Sequence, residues 1–163
     1  MEETRWRKGK LERKDPRTGV WVIHPAQYFH DHRDAIVTMF EEQDKEMRAE
    51  ERRLKRPDQA QEFLDNMRKD DPELPHINVG EVFLSNVSET LRDSSAEIVF
   101  RGKDRKKYVA GCWSSSGSWD EPPDYACWIE PLHEVVGRLE RSKERGFINA
   151  SEKAKLEKLK KLQ

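Results

Sequence analysis

Ala96-Glu97-Ile98-Val99-Phe100, followed after Arg101 to Lys106 by Lys107-Tyr108-Val109-Ala110-Gly111-Cys112-Trp113, decides the fold. Valine, isoleucine and aromatic side chains suit a pleated, half-buried surface. Gly102-Lys103-Asp104-Arg105 between the runs has the composition of a tight turn, so the stretch predicts an antiparallel hairpin. Asp124 to Ile129 predicts a further strand beyond the Ser114–Pro123 loop. Its Tyr125-Ala126-Cys127-Trp128 echoes Tyr108 to Trp113, as neighbouring strands with similar inner faces do; a true repeat needs a longer unit.

C-terminal to this sheet, Pro131 suits the first position of a helix carrying Leu132, Val135, Val136 and Leu139 and closed by Gly146. Asn149 with Glu152 matches a capping box, and Leu156, Leu159 and Leu162 face one way among lysines. N-terminal to it, a helix is predicted from Asp31 to Arg56, stopped by Pro57. Ile36, Val37 and Phe40 open it, but only Met47 and Leu54 continue the stripe, which fits a solvated helix braced by ion pairs better than a coiled-coil seam. Ala60, Phe63, Leu64 and Met67 share one face of the next helix. Asp70 to Pro75 is a breaker. Val79, Val82, Phe83, Val87 and Leu91 fit a third amphipathic helix capped by Asn78, with strand as the competing reading over 77–84. Residues 9–24 predict a hairpin, turned at Asp15-Pro16-Arg17-Thr18-Gly19.

The expected fold is α+β in one domain: a small antiparallel sheet of about three strands plus an N-terminal hairpin, with helices on one face. The expected sections are a basic arm and hairpin (1–30), a helical region (31–93), a sheet and helix core (94–148) and a basic C-terminal helix (149–163).

Of the 163 residues, 34% are hydrophobic and 39% charged, against roughly 25% charged in an average soluble domain. Leu, Ile, Val and Phe make up about a fifth of the chain, near the lower edge for ordered proteins. Much of the chain cannot be covering its own core, so parts of it are expected either to be disordered in isolation or to be ordered by docking on something else. Charge runs in blocks of alternating sign, positive over 1–30, 101–111 and 136–163 and negative elsewhere. That suits mixed protein surfaces better than one nucleic-acid groove. No apolar run reaches membrane-spanning length and the N-terminus has no secretory signal core, so an intracellular location is expected. Two cysteines make no disulfide framework, in keeping with a reducing compartment.

The motifs of common chemistries are missing: no glycine-rich phosphate loop and no nucleophile elbow. His30-Asp31-His32 with Asp34 reads as a polar helix N-terminus rather than a ligand set. Cys112, Cys127 and His133 lack the short paired spacing of structural zinc sites. No catalytic residue, metal or cofactor is expected.

Two features point to binding. Tyr108, Trp113, Trp119, Tyr125 and Trp128 interleave with Asp120, Glu121, Asp124 and Glu130, chemistry that attracts cationic or proline-rich partners; the alternative is that these rings are core, since large aromatics fill cores and interfaces alike. Arg5, Arg7, Lys8, Lys10 and Arg13 form a basic arm, and Arg101, Lys103, Arg105, Lys106 and Lys107 crowd a hairpin tip. The expected function is a non-enzymatic protein–protein interaction subunit or adaptor of a larger assembly. The alternative is a nucleic-acid-associated protein using 5–17, 101–107 and 153–161.

Overall fold

Ile98, Val99 and Phe100 are consecutive in one strand and all buried, so both faces of that strand must be covered. The computed structural model describes residues 2–163. In chain order the elements are β1 (Thr4–Arg7), β2 (Lys10–Lys14), β3 (Trp21–Ile23), α1 (Gln27–Asp31), α2 (Arg33–Leu54), α3 (Pro57–Asp70), β4 (Val79–Glu89), β5 (Asp93–Gly102), β6 (Lys107–Ser115), β7 (Asp124–Pro131), α4 (Leu132–Glu144) and α5 (Ala150–Lys160). The fold is α+β, and the chain divides into two units, residues 1–45 and 46–163.

The larger unit is built on a four-stranded antiparallel sheet in the order β4-β5-β6-β7. Ile98, Phe100, Tyr108, Ala110 and Ile129 point to one side, where Leu54, Ala60, Leu64 and Met67 of α2 and α3 meet them. Val99 and Val109 point to the other, against Leu132, Val135 and Val136 of α4 and Leu156 and Leu159 of α5. The period of two along each strand thus feeds two separate cores. This corrects the expectation of helices on one face. Runs such as Ile98-Val99-Phe100, apolar at every position, mark strands covered on both sides.

A second correction concerns 79–91, where the sequence suggested a helix and the structure has β4. Register shifts between Val79 and Glu81 and between Val82 and Leu84 mark bulges. A bulge adds one residue to one strand only, so Val79, Val82 and Val87 reach the α3 side at intervals that resemble a helical period. Gln61 of α3 anchors the start of this strand: its Oε1 accepts from the Val79 N–H at 2.7 Å and its Nε2 donates to the Ile77 carbonyl at 3.2 Å.

The helix termini follow their sequence signals. Pro57 begins α3 with Asp58 in its first turn, and Pro131 stands one residue before α4, at the N-cap position and not at the expected first helical position. The Asn149 side chain accepts from the Glu152 N–H at 2.8 Å. The predicted β5–β6 hairpin turns over Gly102 to Lys106, closed by the Gly102 N–H on the Lys106 carbonyl at 2.8 Å. Arg105 occupies the left-handed region there, at φ 67.

In the smaller unit, β1, β2 and β3 form a three-stranded antiparallel meander. Part of the expected basic arm is therefore strand. Lys8 and Gly9 both have positive φ, 51 and 75, the two-residue turn that matches strand twist. The predicted turn at 15–19 is present, with the Asp15 carboxylate accepting from the Arg17 N–H at 2.8 Å. That bond is the main cause of an acidity at Asp15 stronger than a free carboxyl's. Gln27 is the sole buried residue of 2–45. Its Oε1 accepts from the Leu11 N–H at 2.5 Å, and its Nε2 donates to Asp31 at 2.7 Å.

A left-handed conformation costs a residue with a Cβ about 1 kcal/mol or more. Arg105→Gly should therefore raise stability by roughly 1 kcal/mol, read as a higher urea midpoint with an unchanged slope.

Candidate functional site

The β6–β7 pairing disperses the five aromatic residues singled out in the sequence. Tyr108 belongs to the core: its ring stacks on Phe100 with centroids 5.6 Å apart. Its hydroxyl donates to Asp104 Oδ2 at 2.5 Å, which is the first cause of a phenol pushed up to about 12, ahead of burial. Tyr125 stands opposite Ser114 on the α3 side of the sheet. Trp113 and Trp128 point to the α4–α5 side. Trp119 sits apart, at the tip of a loop closed by the Ser118 N–H on the Glu121 carbonyl at 2.9 Å, and it is 98% exposed.

Trp113 and Trp128 converge. Together with Asn86, Ser95, Ala126, Glu97 and Lys155 they line a cleft of about 420 Å³. Trp128 lies across its cross-strand partner Gly111: a Cβ at 111 would stand 2.6 Å from the indole. The glycine is therefore the seat of the ring. Beside it Lys155 and Glu97 form an ion pair at 2.8 Å, and Arg138 holds Glu130 with its two guanidinium nitrogens at 2.9 and 2.8 Å. The guanidinium beside Glu130 holds that carboxyl below its ordinary range. The cleft is a shelf of two indoles edged by the Lys155–Glu97 ion pair.

The basic residues fall in both units and many already have partners. In the smaller unit Arg5 pairs with Glu12 at 2.7 Å and lies over the Trp21 ring at 4.0 Å. Arg13 meets Glu2 at 3.4 Å, while Arg7, Lys8 and Lys10 are exposed around the Lys8-Gly9 turn. In the larger unit Arg101 pairs with Glu81 at 3.3 Å and, with Lys107, flanks the Phe83 ring. Lys103, Arg105 and Lys106 are exposed at the hairpin tip.

The histidines and cysteines weighed for metal binding do not converge. His30 packs edge-on against Trp6 and His32 stacks on Tyr28. Cys112 and Cys127 face α3, whereas His133 belongs to α4 on the opposite layer. Among the described residues no cluster of three or more metal-ligating side chains is present, and no helix is long and apolar enough to cross a membrane.

One group of exposed residues lies outside the sequence-derived candidates. The smaller unit exposes Trp6, Val20, Ile23, Tyr28, Phe29 and Phe40, with Phe29 at 66% and Phe40 at 54%. The signal was in the chain: Tyr28-Phe29, Ile36-Val37 and Met39-Phe40 place apolar residues around α1 and early α2 rather than along one stripe. Compared with known protein families, curated proteins and solved structures, the chain finds no match.

Two outcomes follow. Gly111→Ala should force Trp128 off its seat, costing about 1–3 kcal/mol as overpacking does, with a shift in tryptophan emission. For Tyr108, a folded-state pKa raised above the unfolded value of about 10 contributes stability below pH 10 that is lost as pH rises toward 12. The stability deficit of Tyr108→Phe should thus be full at neutral pH and shrink above pH 10, in denaturation series run across that range.

Proposed function

We propose that the chain is a non-enzymatic subunit or adaptor of a larger protein assembly, docking chiefly through residues 2–45. One observation carries this reading: that segment buries no apolar side chain, only Gln27, while holding nine of the thirteen exposed large hydrophobic residues among the described residues. A unit of this size without a core gains too little from burial to offset its ordering entropy. Exposed large apolar side chains in such number are what an interaction surface offers. A partner that covers Phe29, Phe40 and their neighbours supplies the missing core. Trp119, held out on a loop stiffened by Pro122-Pro123, is a second contact, since exposed tryptophans readily become interface anchors.

Nucleic-acid binding through 5–17, 101–107 and 153–161 is the less favoured reading. Arg5, Arg13, Lys14, Arg101, Lys155 and Lys160 each sit within 3.4 Å of a carboxylate, and a phosphate would have to displace those partners. Such binding would weaken steeply with salt.

Full-length protein carrying Phe29→Ser and Phe40→Ser should keep its unfolding midpoint, because exposed positions change stability by less than about 0.5 kcal/mol. It should also lose the partners that co-purify with the unmodified chain. In hydrogen exchange, amides of 4–23 in the isolated chain should exchange far faster than those of 93–115. A stable monomer equally protected in both segments would rule the reading out.

A further inference from the structure

The chain has two cysteines, and the fold sets them directly opposite one another, Cys112 on β6 and Cys127 on β7. The hydrogen-bond phase of the sheet defines what kind of pair this is. Between β5 and β6, Gly102 bonds to Lys106 and Ser116 to Arg92. Bonded pairs recur at every second residue, so Ala96 and Cys112 exchange backbone bonds. The N–H and C=O of Cys112 therefore point toward β5, leaving Cys112 and Cys127 as a non-hydrogen-bonded pair. In such pairs the Cα atoms lie about 4.5 Å apart and the side chains stand closest. That spacing falls inside the window a disulfide spans, roughly 4.4–6.8 Å between Cα atoms. Both side chains point to the α3 side, and both thiols are free and partly buried.

We infer that Cys112 and Cys127 are a site of reversible oxidation, closing into a cross-strand disulfide by exchange with a low-molecular-weight disulfide of the glutathione class. Cys127, on the edge strand, is the point of entry. Its thiolate attacks one sulfur of the small disulfide, forming a mixed disulfide and expelling one thiolate. The thiolate of Cys112 then attacks the Cys127 sulfur, forming the Cys112–Cys127 bond and releasing the second small thiol. Two electrons pass from the cysteines to the small disulfide, and the two thiol protons pass to the leaving groups. Excess reduced thiol reverses both steps.

The surroundings keep the reduced pair quiet. Burial pushes both thiols up, and the nearby carboxylates Asp70 and Asp71 at the end of α3 add to this at Cys127, as Asp70 does at Cys112. The Tyr125 hydroxyl, on β7, opposes it by donating to the Cys127 sulfur. Its own ionisation is suppressed, first by burial and then by that bond, so it remains a donor. Few thiolates are then present at neutral pH, and the preset second sulfur makes capture end in the intramolecular bond. Closing it ties β7, and with it the loop bearing Trp119, to the centre of the sheet.

The test uses the folded full-length protein in glutathione buffers of graded oxidised-to-reduced ratio, quenched by alkylation and read by intact and peptide mass spectrometry. The expected product is a monomer lighter by two hydrogens, with the peptides of Cys112 and Cys127 linked, a raised unfolding midpoint and full reversal by dithiothreitol. Cys112→Ser should stop at a glutathione adduct on Cys127, and Cys127→Ala should yield no intramolecular product; circular dichroism confirms that each variant folds. Stable glutathione adducts on the unmodified chain, disulfide-linked dimers, or oxidation only after denaturation would each overturn the inference.

Discussion

Everything in residues 46–163 depends on two adjacent strands, β5 and β6, being buried on both faces at once. A sheet with one wet face could have been built from half as many apolar residues. Here Ile98 and Phe100 serve one core while Val99 serves the other, and Tyr108, Val109 and Ala110 repeat the pattern one strand over. Each core then demands its own helical cover: α3 with the end of α2 on one side, α4 with α5 on the other. In a chain with 34% hydrophobic residues, that requirement takes nearly all the buried apolar side chains. What remains for residues 2–45 is hydrogen bonding, ion pairing and ring contacts near the surface, with Gln27 tying α1 to the meander through the Leu11 amide.

How legible each part was in the sequence follows from the same constraint. Strands β5, β6 and β7 declared themselves because a run such as Tyr108-Val109-Ala110, flanked by turn residues, has no competing helical reading. Caps and stops were legible too, since Pro57, Pro131 and Asn149 act over a few residues and owe little to the rest of the fold. The strand β4 was hidden by its two bulges, which shift the face of Val82 and Val87 and so imitate the wrong period. The double-sided burial could have been read from Val99 and Val109, apolar residues at positions that would face water in a one-sided sheet.

The candidate site was less legible. Tyr108, Trp113, Trp119, Tyr125 and Trp128 look alike in sequence, yet strand parity sends Tyr108 to one core and Trp113 and Trp128 to the opposite face. Trp119 is left in solvent on a turn. Composition cannot make that separation; register can. The exposed apolar residues of the first unit were visible as Tyr28-Phe29 and Met39-Phe40, but their lack of cover is a property of the fold. The pairing of Cys112 with Cys127 likewise needs the register of β6 against β7.

The contacts made by β4 have one more effect. As an outer strand, β4 would present unpaired backbone groups along its free side, the usual template for adding a strand from another chain. Its Val87 N–H is instead taken by the Glu51 carboxylate at 3.0 Å and its Val79 N–H by Gln61. The Ser85 hydroxyl bonds to the Glu51 carbonyl at 2.5 Å. Side chains from α2 and α3 thus occupy two of the donors an incoming strand would need, and the two bulges interrupt the regular register of the edge. At this border the sheet edge is partly closed by side chains, one of the devices by which proteins blunt edge-to-edge pairing.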